Sequence, residues 1–259
     1  MINLIVFSRN RAMQLHALLD SVELHAKGVF NNVDVLYRAD EGFEQGYEIL
    51  SSSKPYVNMH RETTFKTDLM GLFKMDYTLF AADDDIVFGD FNKGLLQAFT
   101  PETACFSLRL GLNIDYCYPV QAQIALNGWE QDGEFIRWKW RGQPYDFGYP
   151  LSVVSHVFRT ADIKGLSELE DFTSPNTYEA FLQKHLNKVR PEIAAYKKSR
   201  VFGVPANRVQ TDYANINALK YSYQPEGLEL RYCNGERIDV AKMKYKIHQA
   251  QQEIEYIFK

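Results

Sequence analysis

Three adjacent carboxylates, Asp83, Asp84 and Asp85, interrupt an apolar stretch of the sequence, LFAADDDIVF. Like charges this close repel, so at least one favours the neutral form unless a cation lies nearby. Successive side chains of an extended strand alternate in direction, which would let Asp83 and Asp85 share a side. Mg²⁺ and Mn²⁺ prefer such oxygens, and usually take one or two carboxylates together with water and phosphate. The pattern predicts a metal-bridged diphosphate site; a solvated acidic turn is the alternative.

Strand-like and helix-like segments alternate over the first 85 residues and lead to these acids. The predicted strands are 3–8, 32–40, 56–62 and 77–85, and the predicted helices lie within 9–28, 44–53 and 67–75. This alternation predicts an α/β fold with a parallel sheet covered by helices on both faces. Ligands bind beyond the carboxyl ends of the strands in such sheets. Residues 8–11, Asp40, Glu62 and 83–85 would meet at that edge.

The second half of the sequence is less regular. Strands are predicted at 104–113, 150–160 and within 199–210, and a long aromatic loop region at 114–150. A helix is predicted to begin within 173–189, with Ser174 as N-cap and Pro175 at the first helical position. An apolar stripe predicts a terminal helix over 240–258. Its lysines, Lys242, Lys244 and Lys246, allow contact with a membrane surface, although packing on its own domain is the simpler interpretation.

Composition narrows the classes of function. The chain has 259 residues, 46% of them apolar, and a net charge of −4 with both signs scattered, so a nucleic-acid footprint is not indicated. Apolar runs are too short for a membrane span. The start, MINLIVFSRNR, favours an intracellular first strand over a secretory signal. Three scattered cysteines favour reduced thiols over a disulfide framework or a zinc site.

Three segments carry a resemblance to a known family. VFSRNRAMQLHALLDSV, RETTFKTDLMGLFKMDYTLFAADDD and LFAADDDIVF resemble, in this order, the nucleotide-diphospho-sugar transferases of the GT-A fold, in which an Asp-x-Asp motif follows the fourth strand. The resemblance covers residues 1–90 well and the remainder loosely. It implies one GT-A domain over 1–259, with a mostly parallel central sheet. Its expected parts are a nucleotide-sugar-binding half, an acceptor-binding half and a C-terminal helix, at 1–100, 101–239 and 240–259.

The resemblance also implies donor-binding roles at the strand ends. Ser8, Arg9 and Asn10 would line the nucleotide pocket, and Asp40 would contact the base. Arg61 or Lys66 would contact the diphosphate. Ordinary surface charges are the alternative for these residues.

The acidic motif receives roles in the same way. Asp83 would touch the ribose, Asp85 would bind Mn²⁺ or Mg²⁺, and Asp84 would belong to the donor site with them. Asp83 is also a predicted metal ligand, and His156 would be a further metal or diphosphate contact. A structural histidine within a strand is the alternative for His156.

The acceptor half offers candidates for a base that deprotonates the acceptor hydroxyl. Among the acids of LSELEDFTSPNTYE we favour Asp171 and Glu179, although capping or surface roles are the alternative. Aromatic residues of the 114–150 region could stack on sugar rings or serve as core. These are Trp129, Trp138, Trp140, Tyr145 and Tyr149.

The leading hypothesis is a metal-dependent glycosyltransferase of the hexosyltransferase type, which moves a sugar from a nucleotide-diphosphate donor to a glycan or lipid-linked acceptor. It would be cytoplasmic, at the inner face of the membrane if the lipid route applies, and would serve polysaccharide biosynthesis. A non-catalytic carbohydrate-binding or scaffolding protein is the alternative from another class. A sugar-phosphate nucleotidyltransferase is weakened because the loop FSRNRAMQ after the first strand has no glycine. A metal-dependent phosphohydrolase would require acids or histidines from more places.

Overall fold

The computed structural model describes residues 1–214, 216–243 and 245–259. Its strands are β1 (Ile2–Arg9), β2 (Asn32–Arg38), β3 (Asn58–Arg61), β4 (Tyr77–Ala82), β5 (Asp85–Val87), β6 (Thr103–Ser107), β7 (Tyr116–Cys117), β8 (Ala122–Gln123), β9 (Glu130–Asp132), β10 (Phe135–Lys139), β11 (His156–Arg159), β12 (Glu192–Tyr196) and β13 (Val201–Gly203). Its α-helices are α1 (Ala12–His25), α2 (Glu44–Ser53), α3 (Phe65–Gly71), α4 (Thr160–Ser167), α5 (Pro175–Gln183) and α6 (Pro225–Cys233).

A nine-stranded sheet forms the centre of the fold, in the order β3-β2-β1-β4-β11-β6-β12-β10-β9. Seven of these strands run in one direction, because β11 and β10 each pair antiparallel with both of their neighbours. The sheet is therefore mostly parallel and is flanked by helices, which confirms the expected α/β class. The predicted halves share this sheet, since β4 pairs with β11.

The first 85 residues fold as the alternation predicts. β1 lies between β2 and β4 in parallel pairings, and its residues 2–8 are all buried. Short β-branched and aromatic runs with no polar alternation are typical of strands buried on both faces. Because β1 to β4 and β6 share a direction, their carboxyl ends meet at one edge. The donor residues expected there therefore lie on neighbouring strand ends.

The aromatic region 114–150 contains more structure than the predicted loop. β10 pairs with β12 and β9, which extends the main sheet, and β7 and β8 form a separate small hairpin. Trp138 and Trp140 are buried, and their indole N–H groups donate to the carbonyls of Phe147 and Arg190. They belong to the core and cannot be sugar platforms. β12, α4 and α6 were not anticipated, and β6 and β11 are shorter than predicted.

The helix predicted over 240–259 is wrong for the described residues of that segment. They form a turn followed by extended chain with isolated bridges, of which Gly203↔Gln251 and Ile238↔Phe258 are two. Met243, Ile247 and Ala250 are buried as the stripe requires. They are buried one by one against different elements, which produces the same spacing without a helix. Lys244 lies outside the described residues.

No helix in the described part of the chain has the length and apolar character that crossing a bilayer requires.

Candidate functional site

The ends of β1 and β2 form a compact polar cluster. Asp40 Oδ2 accepts hydrogen bonds from Arg9 Nε at 3.1 Å, from Arg9 Nη2 at 2.8 Å and from Asn10 Nδ2 at 2.9 Å. The Asn10 side chain also accepts from the Asp40 backbone N–H, and Asn10 has a left-handed φ of 55°. Strained backbone of this kind persists where the surroundings over-determine it. Three predicted nucleotide-pocket residues therefore lie together, partly open to solvent.

The remaining predicted donor residues are spread more widely. Ser8 is buried and its hydroxyl lies 2.7 Å from that of Tyr47. Arg61, at the end of β3, makes a long 3.4 Å contact with the carbonyl of Ala39. Lys66 donates to Asp171 at 2.9 Å, and the Asp171 side chain is 94% exposed. Lys66 and Asp171 therefore form a surface ion pair.

Asp83 and Asp84 share one guanidinium. Arg11 Nη1 lies 3.0 Å from Asp83 Oδ1 and 2.8 Å from Asp84 Oδ2. Asp83 Oδ2 accepts from the backbone N–H of Arg9 at 3.1 Å. Burial raises the pKa of the Asp83 carboxyl, while the positive charge of Arg11 opposes that shift. The cation that three adjacent acids require is thus, in part, an arginine of the same chain.

Arg11 is itself fixed from the far end of the sequence. Its Nε donates to Asn207 Oδ1 at 2.7 Å and its Nη2 to the Asn207 carbonyl at 2.6 Å. Next to Asn207, the backbone N–H of Val204 donates to the carbonyl of Asp84 at 2.9 Å. The segment 204–212 therefore contacts the acidic motif directly through Val204 and indirectly, through Arg11, by Asn207. We call Arg11, Asp83, Asp84 and Asn207 the Arg11 cluster.

Asp85 faces different partners. The chain turns at 83–84 and resumes as β5, so the expected common side for Asp83 and Asp85 is not formed. Asp85 Oδ2 accepts from Ser155 Oγ at 2.9 Å and from the Ala82 N–H at 3.1 Å. Burial, followed by the charge of Asp84, raises the pKa of Asp85 to about 7. A methyl on Gly203, opposite Asp85 in the β5–β13 pair, would lie 3.2 Å from Oδ1, so the carboxylate is tightly enclosed.

The three predicted metal ligands are not grouped as one three-residue metal site in the described part of the chain. Asp83 has partners on both oxygens, and Asp85 is enclosed. His156 is buried with Nδ1 toward the Pro150 carbonyl, and burial holds its pKa well below the usual value. Within residues 1–214, 216–243 and 245–259, no three His, Cys, Asp or Glu side chains are grouped to hold a metal. A single carboxylate with water and phosphates would still suffice for Mg²⁺.

Asp84 is the acid of the motif that fits that smaller requirement. Its side chain is 19% exposed, against 4% for Asp83. Asp84 Oδ2 faces Arg11, and Oδ1 has no hydrogen-bond partner among the residues that the structure describes. Asp84 Oδ1 is therefore the carboxylate oxygen of the motif that is most available to a ligand.

A second polar site lies beyond the end of β6. A cavity of about 330 Å³ is lined by Arg109, Asp146, Tyr149, Ser152 and Glu179, among others. Val154 also lines it, and the next residue, Ser155, holds Asp85. Ser155 is buried with a left-handed φ of 55°. The cavity wall at Val154 is thus one residue from Ser155, which contacts the acidic motif.

Glu179 is one of the two predicted bases, and it lies in this cavity. Its Oε2 accepts from the Val153 N–H at 2.7 Å and from Ser152 Oγ at 3.2 Å, and its Oε1 from the Tyr149 hydroxyl at 3.2 Å. Burial raises the pKa of Glu179, and these hydrogen bonds oppose the shift. A carboxylate with a raised pKa, inside a cavity, has the properties of a general base.

The helix that carries Glu179 begins as the sequence predicts. Ser174 caps α5, since its side chain accepts a hydrogen bond from the Thr177 N–H. The Thr177 side chain accepts one from the Ser174 N–H in turn, and Pro175 is the first helical residue. Ser174 Oγ also donates to Asp212 Oδ2 at 2.6 Å. The start of α5 is therefore tied to segment 204–212, which contains Asn207 of the Arg11 cluster.

Several residues of these sites were missed from sequence. They are Arg109, Asp146, Ser155 and Asn207. Arg109 follows the end of a strand parallel to β4, so the strand-end rule that led to Asp83 applies to it equally. Asn207 carries no such signal, because its partner Arg11 is 196 positions away.

Comparison with known proteins gives one curated relative of note. The chain is 26% identical over 253 residues to the bifunctional glycosyltransferase pgtA of Dictyostelium discoideum, in an alignment that covers 83% of this chain. It spans about a third (33%) of the length of that relative. No family model matches the chain.

Solved structures show more distant likenesses. Staphylococcus aureus TarS 1-349 in complex with UDP-GlcNAc aligns with a TM-score of 0.49 and 16% identity, covering 81% of this chain and 59% of that one. A cytidylyltransferase from Leptospira borgpetersenii aligns with a TM-score of 0.45 and 10% identity, covering 77% and 76%. Scores below 0.5 support no inference about this chain's fold or function.

Proposed function

We propose that the chain is a glycosyltransferase of GT-A type, which moves a sugar from a nucleotide-diphosphate donor to a glycan or lipid-linked acceptor. The observation that carries the proposal is the segment 152–155, which lines a cavity with a half-buried carboxylate and, through Ser155, contacts Asp85 of the acidic motif. The glycosyltransferase name of the pgtA relative supports it. Both sites lie beyond the carboxyl ends of parallel strands, where open α/β sheets bind ligands.

In this proposal the donor lies along the ends of β1, β2 and β4. Arg9, Asn10 and Asp40 hold the nucleoside, since their cluster is already fixed and is partly open to solvent. The diphosphate lies toward Asp84, whose free oxygen faces outward. Ser8, Asp83 and Asp85 support the site from below through buried contacts.

Asp84 is the proposed protein ligand for Mn²⁺ or Mg²⁺. A divalent cation bound there would act as a Lewis acid for the departing diphosphate. Asp84 would hold it together with donor phosphates and water. Arg11 neutralises part of the acidic charge and keeps Asp83 and Asp84 in place.

Glu179 is the proposed base. Its burial, its raised pKa and its place in the cavity support this role. Asp171 has less support, since its exposed side chain is paired with Lys66. In the reaction Glu179 would accept the acceptor hydroxyl proton as that oxygen attacks the anomeric carbon and the diphosphate leaves. Tyr149 and Ser152 would hold its carboxylate in orientation.

A non-catalytic carbohydrate-binding protein is the second candidate. The contacts of Arg11 with Asp83 and Asp84, and of Asn207 with Arg11, favour it, because they leave little of that motif accessible. A nucleotidyltransferase receives no comparable support, since the stretch FSRNRAMQ around the end of β1 contains no glycine. The possible membrane contact loses its basis, because the described residues of 240–259 form no helix.

Hydrolysis of a panel of nucleotide sugars, with Mn²⁺, with Mg²⁺ and with EDTA, tests the proposal. We expect slow release of nucleoside diphosphate from at least one donor in the presence of metal, and a loss of at least tenfold in Asp84→Asn. Asp90→Asn, an exposed acid five residues past the motif, is the matched control. Absence of hydrolysis and of nucleotide binding across the panel would favour the carbohydrate-binding protein instead.

A further inference from the structure

The cavity beyond β6 has a polar floor and an apolar rim. Arg109 and Asp146 are buried groups of the floor, and Glu179 is a half-buried one. The rim includes Val120 and Tyr145, which are unusually exposed for apolar side chains, at 46% and 54%. Sugar rings have the matching character, with hydroxyls at their edges and apolar C–H faces. Aromatic side chains with one apolar face toward solvent are well suited to such ligands.

The floor carries charges of both signs, and two of them form a pair. Arg109 Nη2 lies 3.1 Å from Asp146 Oδ1, with both side chains over 90% buried. Arg109 Nε is buried and has no hydrogen-bond partner in the described part of the chain. A buried donor without a partner costs free energy unless a ligand or water satisfies it. An anionic ligand would meet Asp146 and Glu179, and a cationic one Arg109, so an uncharged polar ligand is favoured.

Tyr145 is held in a costly conformation. Its φ is 43°, in the left-handed region that side chains other than glycine rarely adopt. The strained backbone places the ring at the mouth of the cavity, 54% exposed, where it gains little from packing. Strain of this kind is concentrated at ligand-binding sites.

We propose that this cavity binds one uncharged sugar ring of the acceptor, stacked on Tyr145, with hydroxyls bonded to Arg109 and Asp146. The proposal deepens the proposed function, on which it rests. The volume of about 330 Å³ lies near the lower limit of ligand sites, about 300–1,000 Å³, so one ring fits and a longer glycan would extend past the rim. The Arg109–Asp146 pair then sets specificity, because it satisfies hydroxyls and leaves no net charge for a uronate.

Binding of methyl glycosides without any donor tests this directly. We would titrate the protein with neutral methyl hexosides and with the corresponding methyl uronates, and follow the amide resonances by NMR. The wild type should bind at least one neutral glycoside with Kd at least fivefold below that of its uronate. Tighter binding of the uronate would overturn the assignment of a neutral ring.

Tyr145 offers a matched set of variants. Tyr145→Ala should raise Kd about 2- to 12-fold, the equivalent of one aromatic contact, while Tyr145→Phe should bind like the wild type. Trp129→Ala, which removes another exposed aromatic residue, should have no effect. Equal binding by Tyr145→Ala and Tyr145→Phe would refute the stacking contact.

Asp146→Asn tests the role of charge. Removing the carboxylate leaves Arg109 uncompensated, so the preference should move at least tenfold toward the uronate. An unchanged preference in a folded variant would contradict the role of the pair. If this variant does not fold, the Tyr145 set decides the proposal. These measurements need no turnover, so glycoside binding without donor hydrolysis would reject the transferase and retain the sugar site.

Discussion

Arg11 and Arg109 each follow a parallel strand and each face buried carboxylates, yet their surroundings differ. The guanidinium of Arg11 contacts Asp83, Asp84 and Asn207 through all three of its nitrogens. The guanidinium of Arg109 contacts Asp146, keeps an unpartnered Nε and borders a cavity. An arginine–carboxylate pair therefore stabilises the folded chain at Arg11, whereas the pair at Arg109 borders a cavity that can bind a ligand. Hydrogen-bond saturation, more than residue type, separates the two.

This difference has a physical basis. A buried guanidinium whose three nitrogens all donate gains little from a further ligand, and removing it leaves charges unpaired. A guanidinium that borders open volume gains a hydrogen bond when a polar ligand enters and reaches it. We therefore expect substitutions in the Arg11 cluster to affect stability most, and substitutions around Arg109 to affect binding and turnover most.

The largest effect should come from Glu179 on the cavity side. Glu179→Gln keeps an oxygen for the Val153 N–H but cannot accept a proton at neutral pH. Sugar transfer should fall about 100- to 10,000-fold, as for loss of a general base, with little change in melting temperature.

Asp171→Asn is the control for Glu179→Gln, since its exposed carboxylate contacts Lys66. Transfer by this variant should stay within twofold of the wild type. The reverse outcome, a large loss in Asp171→Asn and a small one in Glu179→Gln, would identify the exposed Asp171 as the base. It would contradict the assignment of turnover to the cavity beside Arg109.

The next effect concerns stability. Arg11→Met should lower the free energy of unfolding by about 3–5 kcal/mol, because two buried carboxylates lose their cation. Arg109→Met should cost less, about 1–3 kcal/mol, since fewer bonds are lost. Urea denaturation of both variants measures the contrast. Equal losses would mean that the two clusters are equally structural.

The last expected effect is a change in pH dependence. Asp85 has a pKa of about 7 in the folded protein, above its ordinary value of 3.8. The folded state therefore binds more protons than the unfolded state between about pH 4 and 7, and stability falls as the pH rises through that range. In Asp85→Asn this fall should shrink by at most roughly 4 kcal/mol.

Urea denaturation at pH 4, 5.5 and 7.5 would show the Asp85 effect. Asp83 and Glu179, whose pKa values are also raised, should preserve the rest of the pH dependence. A pH profile identical to that of the wild type would mean that Asp85 remains ionised throughout.

The sequence predicts the first half of the fold well and the second half poorly. β1 to β4 and α1 to α3 follow from local patterns, since each buried strand alternates with an amphipathic helix. β10 and β12 depend on pairing with each other across more than 50 residues, which no local window contains. The terminal segment illustrates the opposite failure, because its apolar spacing matched a helix while its residues pack one by one against distant elements.

The candidate site divides in the same way. The strand-end rule leads to Arg9, Asn10, Asp40 and the acidic motif, which the structure brings to one edge. The rule cannot show that Arg11 pairs with the motif while it is held by Asn207, since Arg11 and Asn207 come from opposite ends of the chain. Glu179 was anticipated as an acid near a helix start, whereas its burial depends on the fold of the 145–153 region.

The segment 204–212 is fastened at both sites, to Arg11 through Asn207 and to the cap of α5 through the contact between Ser174 and Asp212. A donor that displaced this segment from the acidic motif would also pull on the helix that carries Glu179. The two sites therefore share one segment of the chain, and we expect a donor that moves it to affect the second site. An enzyme built in this way would show an obligatory order of substrate addition, with the nucleotide sugar entering first.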